Sequence, residues 1–266
     1  MSNKLIIVMI HGQGNQKKEY YEKLRDGLFK RLTSAEKQRI VVAPIFYQDL
    51  VSDPDGEMWA RMKAKPLSYQ WLRQPLFEGF SDASTYQFRD ENPQSSYKKV
   101  HKRINSTLQS AVDELTEPGE DGPGEYKIIA FAHSLGGQIL SNHIWDAQRT
   151  LGIWDGVGAG PHEDFSKLGK FITYGCNIPL FVSGRIDAKP IAAPSENFEW
   201  HNYYDKHDVL GWPLKPISNG YNDIVEDVHM NAGGWFLGLT PKSHSEYTGN
   251  KKFLKLSVQH IRDLLD

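Results

Sequence analysis

Two short stretches of this 266-residue chain carry residue types and spacing suited to nucleophilic chemistry. The first is Lys127 to Gly137, KIIAFAHSLGG, an apolar run that turns abruptly at Ala132-His133-Ser134-Leu135-Gly136. Leu140, Ile144, Ala147 and Leu151 then recur at helical spacing. Strand, tight turn with a central Ser, then helix is the context that gives a G-x-S-x-G pattern chemical meaning. Small residues two before and two after the Ser let strand and helix pass close together. Such a turn is expected to strain Ser134 and lift its hydroxyl clear of the sheet edge. The helix behind it aims unpaired N–H groups and a partial positive charge at the same spot. A serine hydroxyl is a poor nucleophile at neutral pH, so it needs a base and an oxyanion stabiliser nearby.

The second stretch is His11-Gly12-Gln13-Gly14, which leaves the apolar, β-branched run Leu5 to Ile10. Glycines at a strand's carboxyl end let backbone approach a ligand. Alone, the segment reads equally well as a tight strand-to-helix turn. With Ser134 downstream it becomes the second half of an oxyanion hole, with the N–H groups of Gln13 and Leu135 as donors.

The elements that must position these stretches can be read in order. Strands are predicted at Leu5–Ile10, Ile40–Tyr47, the run before Ser134, Lys170–Gly175, Phe198–Tyr204 and Ile224–Met230. Helices are predicted through Tyr20, Leu24, Leu28 and Leu32, through Tyr97 to Leu115, after Ser134, and through Phe253 to Leu264. The alternation implies an α/β fold with a mostly parallel, doubly wound sheet flanked by helices. Ligands on such sheets bind at the strands' carboxyl ends. Residues 49–96 break the rhythm and hold Trp59, Tyr69, Trp71, Phe77, Phe80, Tyr86 and Phe88. They form a candidate lid, or a helical excursion packed on the sheet.

Composition bounds the rest. No linker divides the chain, so a single domain over 1–266 is expected. A formal net charge of −2 with mixed signs offers no electrostatic case for a nucleic-acid partner. The single cysteine, Cys176, permits no internal disulfide and fits a reducing compartment. No apolar run is long enough to span a membrane, and a cytoplasmic protein is expected.

The motifs VMIHGQG, FAHSLGG and YGCNIPLF, followed by an Asp loop and a late His, make the chain resemble the α/β-hydrolase superfamily of serine esterases and lipases. Ala132 departs from the Gly usual at that position, and A-x-S-x-G variants exist among bacterial lipases. The resemblance implies Ser, acid and His in that chain order. It places the base at His244, in the Ser243-His244-Ser245-Glu246-Tyr247 loop, with His229 as competitor. It places the acid after FEWHNYY, at Asp208 by preference and Asp205 as second choice, with Asp227 less favoured. The implied function is hydrolysis of a small-molecule carboxylic ester or thioester through an acyl-enzyme on Ser134. A serine amidase or peptidase, and a non-catalytic ligand- or partner-binding protein on the same fold, are the alternatives. No cofactor and no metal are implied.

Several other features read more simply as structure. His201, Asp205, His207 and Asp208 could gather round a metal only if the strand ran on past Tyr204. His133 is expected to pack beside the turn and point away from Ser134. Cys176 reads as a small core residue. Gly156-Val157-Gly158-Ala159-Gly160 looks like a dinucleotide loop, but no strand precedes it and Pro161 follows. A surface loop is expected there.

Overall fold

Runs rich in β-branched and aromatic residues become the strands of one sheet. The computed structural model describes residues 3–51, 57–66, 68–69, 73, 77, 81–86, 94–116, 119–120, 122–160, 162–163, 165–232 and 243–266. The strands are β1 (Lys4–Ile10), β2 (Ile40–Ile45), β3 (Tyr126–His133), β4 (Leu168–Tyr174), β5 (Glu199–Tyr204) and β6 (Val225–His229). Their order is β2-β1-β3-β4-β5-β6 and all five pairings are parallel. Parallel strands covered on both faces need apolar residues in both phases of the pleat. In β1, Leu5 to Ile10 are all buried.

The two phases meet different helices. Leu5, Ile7 and Met9 share a core with Leu24 and Leu28 of α1 (Glu22–Phe29). Ile6, Val8 and Ile10 pack with Val100, Ile104 and Leu108 of α2 (Ser96–Leu115) and Ile139, Leu140 and Ile144 of α3 (Leu135–Gln148). Phe253, Val258 and Ile261 of α4 (Lys251–Leu265) join the first core. Side chains start two of these helices. Ser95 accepts from the Lys98 N–H ahead of α2, and Asn250 accepts from Lys252 and Phe253 ahead of α4. This is a parallel, doubly wound α/β sheet flanked by helices.

The chain steps outward from β1 to β2, then crosses over β1 to β3. The strand order therefore reverses between neighbours β1 and β3, which opens a crevice at their carboxyl ends. Ile10 and Ala132 are the last pair in that register. His11-Gly12-Gln13-Gly14 and Ser134 leave the sheet side by side.

Several boundaries differ from the sequence expectation. Strand β2 stops at Ile45, because the Tyr47 N–H turns to donate to His11 Nε2 at 3.1 Å. Helix α1 leaves out Tyr20 and Leu32; the Tyr20 hydroxyl bonds the carbonyls of Met9 and Ile45 instead. Ile224 ends a short helix, Asn219–Ile224, before β6 begins. Residues 152–160 form a short 3₁₀ turn and a loop, with Val157 exposed.

The segment 49–96 is described only in part. Residues Gln48–Val51, Glu57–Lys63 and 81–86 are helical. Tyr86 is fully buried and stacks on Tyr97 with ring centroids 5.0 Å apart, and Trp59 lies against Phe77. Tyr69 is exposed. Trp71, Phe80 and Phe88 lie outside the described residues. Among the described residues, no helix is long and apolar enough to cross a membrane.

Candidate active site

Ser134 sits between β3 and α3 with φ 51° and ψ −122°. A non-glycine residue in that region is strained, and the surroundings must hold it there. Two close approaches show how. A Cβ on Gly12 would lie 2.8 Å from the Ser134 Cβ, and one on Gly136 would collide with the His11 carbonyl oxygen. Only glycine at both positions lets the HGQG loop press against the turn. The Ser134 N–H donates to the Tyr174 carbonyl at 3.1 Å, which ties the turn to the end of β4.

The HGQG loop is itself clamped. The His11 ring stacks on Tyr47 at 4.0 Å, and its Nδ1 lies 2.7 Å from the Gly12 carbonyl. Its Nε2 accepts from Tyr47, so the proton resides on Nδ1 and the ring is neutral. Burial pushes the His11 pKa down to about 4, against the opposing effect of the Gly12 carbonyl. Leu135 opens α3, so its N–H has no partner within the helix.

His244 arrives on the 3₁₀ segment Ser243–Gly249. Its Nδ1 lies 2.9 and 3.0 Å from the two carboxylate oxygens of Asp208. An Nδ1–H shared by a carboxylate leaves Nε2 as the ring's acceptor. That Nε2 is buried without a hydrogen-bond partner, and so is the Ser134 Oγ. No hydrogen bond joins the two atoms. The ring lies over Gly175, where an added Cβ would be 3.1 Å from Cε1. Gly175 directly follows Tyr174, whose carbonyl holds the Ser134 N–H.

Asp208 is held by more than His244. The Leu210 N–H donates to its Oδ1 at 3.0 Å, and the Tyr247 hydroxyl donates to its Oδ2 at 2.9 Å. Burial pushes the Asp208 carboxyl up, but the bonds and charge from His244, Leu210 and Tyr247 outweigh it and hold the carboxyl below its ordinary value. Tyr247 is fully buried. Burial, with the Asp208 charge beside it, pushes its phenol well above the usual range, so it stays a donor.

The other sequence candidates are placed elsewhere. Asp205 Oδ1 accepts from the His207 N–H and Oδ2 from the Ala232 N–H, so this carboxylate staples the turn after β5 to the chain after β6. Asp227 accepts from Asn202, Leu214 and Lys215, closing the loop beyond Asp208. His229 is exposed at the end of β6, edge-on to Tyr204. His133 Nε2 donates to the His244 carbonyl at 2.7 Å, and its ring packs between Tyr174 and His244. Burial, and then the His244 charge, push its pKa down to about 3. It is a fixed neutral donor that holds the His244 backbone. Cys176 is fully buried.

The suggested metal cluster does not assemble. His201 bonds Glu199 and Glu226, Asp205 bonds His207, and Asp208 bonds His244. Among the described residues, Glu199, His201 and His260 bring ligand-type atoms within 4.8 Å of one another. The Lys170 ammonium already lies 2.8 Å from the Glu199 carboxylate there and supplies the positive charge.

Three contributors were not singled out from the sequence: Tyr47 behind His11, Tyr247 on Asp208, and Asp82, whose carboxylate meets the Gly14 N–H. The Ser-His-Ser-x-Tyr spacing was a signal for Tyr247. Nothing local marks Asp82.

No protein-family model matches the chain, and no curated protein matches it. Among solved structures it is similar to one described under LipS and LipT, two metagenome-derived lipolytic enzymes, with TM-score 0.44 and 12% identity over 98% of this chain and 95% of that one. It is also similar to the catalytic core domain of an acetyl xylan esterase from Trichoderma reesei, with TM-score 0.40 and 11% identity over 99% of each chain. At these scores neither likeness bears on activity or substrate.

Proposed function

We propose that this chain is a serine hydrolase that cleaves a carboxylic ester or thioester through an acyl-enzyme. The observation that carries the reading is the His244–Asp208 pair. It leaves a buried, unpartnered imidazole nitrogen on a ring packed against His133, the sequence neighbour of Ser134, whose own hydroxyl is buried and unpartnered. Ser134 Oγ attacks the substrate carbonyl carbon while His244 Nε2 takes its proton. Asp208 holds the tautomer and stabilises the imidazolium. The N–H groups of Gln13 and Leu135 receive the oxyanion, each worth roughly 10²–10³ in rate. His244 returns the proton to the leaving oxygen or sulfur. Water then attacks the acyl-enzyme by the same steps in reverse order, and Ser134 is regenerated.

Val209 and Trp212, on the loop that carries Asp208, are largely exposed apolar side chains. They favour a substrate with an apolar group on one side of the scissile bond. The test is turnover of p-nitrophenyl esters of increasing acyl length. Turnover that disappears in Ser134→Ala supports the reading, and equal turnover in the two proteins sinks it.

One observation favours a second reading, a non-catalytic binding protein on this fold: Ser134 is fully buried. Under that reading, ester and amide substrates alike go untouched by the folded wild-type protein.

A further inference from the structure

Asp82 is a charged side chain in a place where charge is costly. It lies in the helical stretch 81–86 and is only 3% exposed. Its Oδ2 accepts two hydrogen bonds. One comes from the Gly14 N–H at 2.9 Å and the other from the Gln48 side-chain amide at 3.1 Å. Gly14 has φ 91°, a left-handed conformation, and directly follows Gln13. Gln48 opens the short helix after β2. One carboxylate oxygen therefore ties the segment 49–96 to the loop after β1 and to the chain after β2.

We propose that Asp82 is a positioning residue for the oxyanion hole, fixing the HGQG loop through the Gly14 N–H so that the neighbouring Gln13 N–H faces the crevice. This rests on the serine-hydrolase reading above.

A loop with two glycines has many backbone rotations open to it, and a hole works only when its donors are set before the reaction. Gln13 and Gly14 are consecutive, so anchoring the second N–H limits rotation of the peptide that carries the first. The first half of the loop is already fixed by His11 and Tyr47. Asp82 supplies the anchor for the second half. A carboxylate here also has an electrostatic cost, because a negative charge near a developing oxyanion opposes it. That cost is tolerable only if the charge is spent on its own donors, as it is on Gly14 and Gln48. The residue acts through the loop and touches no reacting atom.

The experiment compares wild type, Asp82→Ala and Asp82→Asn on an ester and on the matching thionoester. A thionoester's sulfur is large and a weak acceptor, so it draws little from an oxyanion hole. In Asp82→Ala the expected result is a fall in ester kcat of about 10–100-fold with KM nearly unchanged. The ester-to-thionoester rate ratio should fall by about tenfold, which mere loosening of the fold would not cause. Asp82→Asn keeps a carbonyl oxygen for Gly14 and should recover ester kcat to within a few-fold of wild type. An unchanged ratio in Asp82→Ala, or an Asp82→Asn variant as impaired as Asp82→Ala, overturns the proposal. Thermal melts of all three proteins identify unfolding; should Asp82→Ala not fold, the ratio measured on Asp82→Leu, which keeps the volume but offers Gly14 no acceptor, decides, and a wild-type ratio there overturns the anchor. A wild-type protein that hydrolyses neither substrate overturns the hydrolase reading itself, a different result from any of these.

Discussion

Replacing Tyr247 by Phe removes one oxygen atom with two duties. The hydroxyl donates to Asp208 Oδ2 at 2.9 Å and accepts from the Asp205 N–H at 3.0 Å. Tyr247 is fully buried, so water does not simply replace the lost group. A hydrogen bond to a charged acceptor contributes about 1.5–3 kcal/mol, and a buried donor left without an acceptor costs about 1–3 kcal/mol. The two losses share one atom and are not additive, so we expect Tyr247→Phe to lose about 2–4 kcal/mol at neutral pH. Part of that loss depends on pH. The Asp208 carboxyl is held below its ordinary value, with Tyr247 among the causes. Its contribution to stability is therefore full above the unfolded carboxyl's pKa of about 3.9 and fades as pH falls through the lower folded value. Removing the Tyr247 donor moves the folded value up. The gap between the two proteins should thus be widest near pH 7 and narrow below about pH 4. Urea titrations of both proteins across that range measure it. A gap under about 0.5 kcal/mol at pH 7, or one that stays constant into acid, refutes the reasoning.

Three shorter predictions concern other contacts. Gly12→Ala puts a Cβ 2.8 Å from the Ser134 Cβ and 3.0 Å from His133 Nδ1, so loop and turn must separate. Ester kcat should fall by about 10²-fold while the protein still folds, as shown by circular dichroism; unchanged kcat contradicts the close approach. Asp227→Ala strips the acceptor from the N–H groups of Leu214 and Lys215 and from the Asn202 amide. It should cost about 3 kcal/mol in urea unfolding, and a cost near zero contradicts this role. Burial pushes the Cys176 thiol up to about 12. Iodoacetamide at pH 8 should leave it unmodified in the native protein and alkylate it in denaturant, whereas rapid native alkylation contradicts its burial.

The fold was legible because its signals are local. Leu5 to Ile10 is apolar at every position, which only a strand covered on both faces requires, and α2 repeats its buried residues at three and four. The turn at Ser134 and the HGQG loop were legible for the same reason, since small residues at fixed offsets mark each close approach. Element ends were harder. Strand β2 stops early because Tyr47 finds His11, a partner 36 residues away. The aromatics of 49–96 looked like a lid's lining, yet Tyr86 belongs to the core, and periodicity in a broken segment cannot separate the two. Choosing between Asp205 and Asp208 was beyond local pattern, because both follow β5 within a few residues. What separates them is which carboxylate faces His244, and that depends on the path of a chain segment some forty residues later. Asp82 was hidden in the same way, for its partners are the Gly14 N–H and the Gln48 side chain, both from distant segments.

Covalent capture tests the reactivity of Ser134 most directly. The folded wild-type protein is treated with a fluorophosphonate, digested, and mapped by mass spectrometry, with Ser134→Ala and His244→Ala alongside. We predict one phosphonyl group on Ser134, none in Ser134→Ala, and much slower capture in His244→Ala. No adduct on folded wild-type protein, or an adduct formed equally fast without His244, would contradict it.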